Sequence, residues 1–353
     1  MQFPLYQGLT LLAIVVAIFI FPFKFRMPSL AAIRAANAAF SPSYIPVALF
    51  VGGTAGIGQG IVEAFARHLK GKAHIIIVGR NRAAAQSIIS RLPKPTSGSN
   101  VTHEFVQCDA TLMKNVDVVT KELLTRVPKI NFLVMTAGYI TTKGRDETEE
   151  GIDKKLAVHY YSRWKFINDL LPALKKAKEM GEDAKVLSVM AAGKGTKIDL
   201  DDLGLKKSYT LARAGTQAPT YNDLMVEVNH YCLSVSQKKT VTHPPCSSNQ
   251  EYAARNPDLA FIHAYPGVVR TGLMASSDSL ILRAVSSIVV PLSYPFSTSY
   301  AEAGEYMLHG LFDSTKGAFR YGSRGENLGM KKASGSEEAR KRLWEHTVTA
   351  TQL

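Results

Sequence analysis

Cysteine is almost absent: Cys108, Cys232 and Cys246 are the only three in 353 residues, too few and too far apart for a disulfide framework or a paired metal-ligand motif. No metal site is therefore expected. Acidic residues are also scarce, 29 Asp and Glu against 42 Lys and Arg, leaving a formal net charge of +13. Because the basic residues are scattered and interspersed with acids rather than gathered among exposed aromatics, they argue against nucleic acid as a partner. An anionic membrane face or an anionic small molecule accounts for the excess more simply. No internal repeat and no long low-complexity tract is visible, so solenoid and disordered classes fall away. What remains is a chain with 46% apolar residues, enough to bury one large core without disulfides.

One long charge-free run is present, LTLLAIVVAIFIFPF, within the first 23 residues, and Lys24, Arg26 and Arg34 come after it. With its flanks it approaches the roughly 20 residues that span a bilayer, and the basic residues on its carboxyl side place the rest of the chain in the cytosol. A cleaved signal peptide is the rival, since SLAAIRAANAAF offers small residues near a cut, but a basic segment before the run is missing. The expected organisation is a transmembrane anchor at 1–23, a juxtamembrane linker at 24–44 and a single domain at 45–353. The expected location is the endoplasmic reticulum membrane, with the domain facing the cytosol. In that topology the sequon Asn100-Val101-Thr102 never meets the glycosylating enzyme.

The stretch ALFVGGTAGIGQGIVEAFARHL, 48–69, reads as an apolar strand, a glycine-rich turn and an amphipathic helix. Gly52, Gly56 and Gly58 let the backbone turn sharply and let a phosphate approach the positive end of a helix, with Thr54 and Ile57 in the same turn. Further apolar strands occur at AHIIIVG, VTHEFVQCDAT, INFLVMTAGY, AKVLSVMAA and LAFIHAYPGVVRTGL, separated by helical patterns. That alternation predicts a Rossmann-type α/β fold, a doubly wound parallel sheet with its ligand at the carboxyl ends of the strands.

The second strand ends in Gly79-Arg80-Asn81, with no acid where an NAD-binding chain often holds the adenosine ribose. Arg80, helped by Arg82, offers a planar donor array for a 2′-phosphate, so NADP is the expected cofactor. Asp109 can accept from adenine's amino group while Ala110 leaves room beside the ring. Ala137 and Gly138 let a cofactor lie against backbone. An aspartate capping its own turn and an alanine-glycine turn are the ordinary structural alternatives.

In these pieces, GGTAGIG, VGRN, CDA, TAG, VLSVMAA, TYNDLM and YPGVVRTGL, the chain resembles the short-chain dehydrogenase/reductase family, particularly its membrane-associated retinol-dehydrogenase-like branch. The resemblance implies a nicotinamide lying near Pro266, Gly267, Val269 and Thr271. It also implies a serine, tyrosine, lysine and asparagine arranging proton transfer opposite hydride transfer, and there this chain departs. Tyr221 aligns with the tyrosine, but Met225 stands at the lysine, Ala191 or a neighbour at the serine, and His159 at the asparagine. The expected catalytic pair is Tyr221 with His159, the histidine replacing the absent donors because it can donate, accept and change charge near neutral pH. Tyr209 with Arg213, four residues on, is a second candidate pair if that region is helical.

DSLILRAVSSIVVPLSYPF, 278–296, has the apolar content to line a hydrophobic substrate entrance or touch a membrane, although Arg283 and Pro291 rule out a further span. The leading expectation is an NADP-dependent oxidoreductase interconverting carbonyl and alcohol on a hydrophobic small molecule. The alternative is an NADP-binding protein without net redox activity, a scaffold or a nonstandard isomerase or cyclase. Long helices at 151–180 and 220–238 offer faces through which a homodimer can form.

Overall fold

The computed structural model describes residues 27–95, 100–227, 252–330 and 335–352. The expected anchor at 1–23, Cys232 and Cys246 lie outside the described residues. Among the described residues no helix is long and apolar enough to cross a membrane.

Seven parallel strands form one sheet: β1 (Val47–Val51), β2 (His74–Gly79), β3 (His103–Gln107), β4 (Phe132–Met135), β5 (Lys185–Val189), β6 (Ala260–Ala264) and β9 (Gly317–Tyr321), in the order β3-β2-β1-β4-β5-β6-β9. Two short strands, β7 (Val269–Arg270) and β8 (Thr298–Ser299), pair apart from it. Alternation along each strand sends side chains to opposite faces. In β1, Val47, Leu49 and Val51 enter one core and Ala48 and Phe50 the other. The first core is roofed by α4 (Met113–Arg126), α5 (Ser162–Glu179), α6 (Leu211–Val226) and α10 (Glu337–Thr351). The second is roofed by α1 (Leu30–Ala39), α2 (Gly56–His68), α3 (Arg82–Arg91) and α9 (Tyr300–Asp313). α7 (Tyr252–Arg255) and α8 (Leu280–Leu292) complete the helices named here. Strand order reverses between β1 and β4, so the crevice of this doubly wound sheet opens at their carboxyl ends.

Three elements differ from expectation. The stretch 24–44 is not all linker: α1 docks on the domain, with Ile33 1% and Asn37 0% exposed and Asn37 Nδ2 donating to the Glu305 carboxylate at 2.8 Å. The helix expected over 220–238 starts earlier, because Thr210 caps Arg213 N and α6 begins at Leu211, about two and a half turns before Thr220; residues 228–238 lie outside the described residues. Finally, β9 adds a seventh strand to the six the sequence offers.

Candidate active site

The glycine turn is built so that no side chain fits. Gly52 has φ +94°, and a Cβ on it would lie 2.4 Å from Ala137 N; one on Gly58 would lie 2.3 Å from both Gly52 O and Thr136 Oγ1. β1 and β4 thus meet backbone to backbone, and Thr136 Oγ1 donates to Gly52 O at 3.2 Å. α2 starts at Gly56 with no side-chain cap on its first amides, which leaves a positive helix end facing the crevice. Thr54 lies against Gly79, and Thr271 approaches Gly56 with its Cγ2 3.2 Å from where a Cβ would sit. The loop after β6 therefore closes over the turn after β1. Ile57 packs toward the second core instead. This cradle fits a dinucleotide pyrophosphate: its glycines leave the space and its amides supply the donors.

At the far end of the crevice Arg80 is exposed at the tip of β2. Arg82 lies over the Phe105 ring, 5.0 Å from its centroid. Asn81 caps α3 through a bond from Ala84 N at 2.9 Å, a structural duty. Asp109 Oδ1 accepts from Thr111 N at 3.0 Å and Thr111 Oγ1 at 2.8 Å, so one of its oxygens holds a local turn, while Ala110 is buried. Cys108 is buried too, and burial pushes its thiol up to about 12, which makes it inert.

The other end is crossed by a π-helical turn, Ala157–Tyr161, leading into α5. It presents His159 to Gly138: the imidazole Nε2 accepts from Tyr139 N at 3.3 Å and would lie 3.0 Å from a Cβ on Gly138. Burial first, then Arg163 and Lys155, push this imidazole down to about 3. His159 is therefore neutral at physiological pH, and its Nε2 is an acceptor already held by Tyr139 N. The expected change of charge near neutrality does not occur.

Arg163, one turn on, is buried and donates to Ser188 Oγ at 2.7 Å, Val189 O at 2.9 Å and Ala137 O at 2.9 Å. Burial pushes it down to about 9, so it remains a cation that ties the ends of β4 and β5 together. Ser188 donates its own proton to Asn222 Oδ1 at 2.7 Å, and Asn222 Nδ2 donates to His159 O at 2.8 Å. Sequence reasoning missed both Arg163 and Asn222; with Ser162 and Lys165 beside it in YYSRWKFI, Arg163 carried no distinct signal of its own. Pro266 and Gly267, the latter at φ +73°, come after β6, and Val269 lies in β7, which pairs with β8.

Tyr221 is not in the crevice. It is 0% exposed, packs on Tyr160 with ring centroids 5.1 Å apart, and its hydroxyl bonds Leu203 O at 2.9 Å and Gln217 Oε1 at 2.6 Å. α6 runs unbroken through it, and this face of the helix is turned into the first core, which removes the phenol from any substrate. Met225 is buried in the same core. The alternative pair also dissolves, since Arg213 serves Ser208 O and Asp199 at 3.2 and 3.1 Å. Tyr209 is held by a different cation, Lys155, whose Nζ donates to Tyr209 Oη at 2.6 Å and to the carbonyls of Lys143 and Gly144 at 3.0 and 3.1 Å. No group of acidic residues, histidines and cysteines among the described residues is arranged to hold a metal.

A parallel sheet with a glycine cradle and a free helix N-terminus at its switch point defines a dinucleotide-binding protein of the Rossmann class. The chain belongs to the short-chain dehydrogenase/reductase family: the family pattern described as short chain dehydrogenase matches residues 46–196. An oxidoreductase of Emericella nidulans is 34% identical over 286 residues, 81% of this chain and 77% of that one. Human polyprenol dehydrogenase is 29% identical over 181 residues, about half of each chain at 51% and 53%. The NADPH-bound carbonyl reductase from chicken fatty liver shares the fold, with a TM-score of 0.51 at 16% identity over 81% of this chain and 99% of the other.

Proposed function

We propose that this oxidoreductase uses NADP to interconvert a carbonyl and an alcohol on a hydrophobic small molecule at a membrane surface. The observation that carries the cofactor choice is Arg80, exposed at the tip of β2 beside the cradle, with no acidic side chain in the turn 79–82 to take a ribose 2′-hydroxyl. The turn from Gly52 to Gly58 and the start of α2 would hold the pyrophosphate. Asp109 and Ala110 would border the adenine, and Ala137, Gly138, Pro266, Gly267, Val269 and Thr271 would line the nicotinamide half. When bound, the cofactor supplies the hydride, and the carbonyl reductase and polyprenol dehydrogenase named above act on the kind of bond this reading assigns.

The hydrophobic substrate and the membrane rest on α8 and the turn after it. Leu280 and Leu292 are each 72% exposed, Tyr294 62% and Phe296 64%, an apolar surface suited to lipid or to a lipid-soluble ligand. Arg270 stacks on Tyr294 with its guanidinium 4.3 Å from the ring centroid. The Glu302 carboxyl is held down by the Ser299 amide first, with burial opposing, and also by Arg270 and Arg34. Arg34 of α1 and Arg270, which stacks on Tyr294 after α8, both act on Glu302, so α1 and the residues after α8 share a side. The apolar surface supports membrane attachment alongside the run at 1–23; the endoplasmic reticulum and the cytosolic orientation are carried by the sequence alone.

Calorimetric titration with NADPH and NADH tests the reading. Wild type is expected to bind NADPH at least tenfold more tightly, and Arg80→Ala to lose about 1.4 kcal/mol or more of NADPH affinity while leaving NADH unchanged. Equal affinities in wild type would overturn the assignment. A redox-silent protein is the second reading, favoured by Ala191, Met225 and the burial of Tyr221, and it predicts NADPH binding with no oxidation by any carbonyl.

A further inference from the structure

The crevice has lost the family's tyrosine and lysine from α6, yet near His159 and Tyr139 another tyrosine is bonded to another lysine. We propose that Tyr209, held by Lys155, is the acid-base residue of this crevice, a proton-transfer pair assembled from two separate elements. This rests on the oxidoreductase reading above and supplies the step that reading leaves without a donor.

The geometry has three parts. First, Lys155 precedes His159 by four residues, and His159 touches Gly138 at the carboxyl end of β4, so the pair stands one helical turn from the nicotinamide end. Tyr139, whose ring is 6.2 Å from that of His159, is an electrostatic neighbour of Tyr209. Second, all three Lys155 protons are engaged, two by the carbonyls of Lys143 and Gly144 and the third by Tyr209 Oη. The ammonium is pinned in the loop after β4 and aimed at the phenol oxygen. Third, that oxygen accepts from Lys155, and no acceptor among the described residues takes the Tyr209 proton. A partly buried phenol with a cation behind it and a free proton in front is arranged as a donor.

The charged and titratable groups facing the pair are Asp153, Asp146, Arg145, Asp278, Tyr139 and His159. Burial first, then Asp153 and Asp146 against Arg145, push the phenol up to about 12, so it carries its proton at neutral pH. In reduction a bound reduced nicotinamide would supply the hydride to the substrate carbon, the C=O π pair would move to oxygen, and that oxygen would take the Tyr209 proton. A phenolate is left beside the Lys155 ammonium, to be reprotonated from solvent. Oxidation is the reverse and needs the phenolate first.

Two measurements on the full chain test the pair. In the first, 3,5-difluorotyrosine replaces Tyr209 and fluorine NMR tracks its ionisation, which fluorination brings into an accessible pH range. Lys155→Met should raise the ionisation by about one pH unit, a tenfold change; an unmoved titration overturns the pairing. In the second, NADPH binding is measured by calorimetry and turnover with farnesal, an apolar terpenoid aldehyde. Tyr209→Phe leaves the Lys155 bonds to Lys143 and Gly144 in place and should lower kcat roughly a hundredfold or more with NADPH affinity unchanged. Undiminished turnover with normal NADPH binding overturns this proposal alone, whereas a wild-type chain that binds no NADPH overturns it together with the reading above.

Discussion

Glu305 joins α1, α2 and α9, and its neutralisation should make the protein markedly less stable in acid. The carboxylate is 1% exposed and receives Asn37 Nδ2 at 2.8 Å, Arg67 Nη2 at 2.7 Å and His68 Nε2 at 2.9 Å. Burial raises its pKa, but the bonds from His68, Asn37 and Arg67 outweigh burial and hold it at about 2 against an ordinary 4.5. At about 1.4 kcal/mol per unit, that difference corresponds to roughly 3 kcal/mol. Arg67 is 54% exposed, and solvent screening of its share brings the expected contribution nearer to 2 kcal/mol. Because the folded value is depressed, the stabilisation is complete above the unfolded pKa and disappears as pH falls from about 4.5 toward about 2. Glu305→Gln keeps the size and removes the titration. Urea unfolding monitored by the fluorescence of Trp164 and Trp344, from neutral pH into acid, gives the difference between variant and wild type, in which groups common to both cancel. Wild type should be the more stable by roughly 2 kcal/mol at neutral pH, the gap closing through that acid window. Curves that run parallel into acid would refute the reasoning, because they would mean that Glu305 gains nothing from its partners on folding.

Gly58→Ala puts a methyl 2.3 Å from Gly52 O and Thr136 Oγ1; thermal unfolding should show a loss of about 1–3 kcal/mol, and calorimetry a larger proportional loss of NADPH affinity, since the turn itself must move. Tyr221→Phe strands the Leu203 carbonyl and Gln217, so urea unfolding should show a loss of about 1–3 kcal/mol, while turnover per folded molecule is retained; loss of turnover without loss of stability would return the phenol to the crevice.

The apolar strands and the glycine turn were legible because they obey short-range rules. A strand buried on both faces is a continuous run of Val, Ile, Leu and Phe, and a turn that brings two backbones into contact admits only glycine. The seventh strand, GAFRY, was not legible. It begins with a glycine and carries Arg320 among its few apolar residues, so only its place beside β6 makes it a strand. Gly60 and Gly304 carry no local signal either, yet a Cβ on Gly60 would meet Tyr300 O at 2.2 Å and one on Gly304 would meet Gly60 C at 2.3 Å, which lets α2 and α9 cross in close contact.

The site divides in the same way. The sequence by itself determined the α/β class, the cradle at 52–58 and the basic tip at Arg80, because each is a contiguous stretch whose chemistry lies in its own backbone and side chains. It also showed, by simple absence, that Met225 and Ala191 cannot supply a charge or a hydroxyl. Only the tertiary structure decided that Tyr221 is shut in the core and that Tyr209 is bonded by Lys155. Whether Tyr221 points inward depends on where α6 begins and on its packing against Tyr160, and Lys155 meets Tyr209 across 54 residues. Neither relation is periodic along the chain; both arise from the way the loops after β4 and β5 fold over the strand ends, and such contacts exist only once the core beneath them has formed.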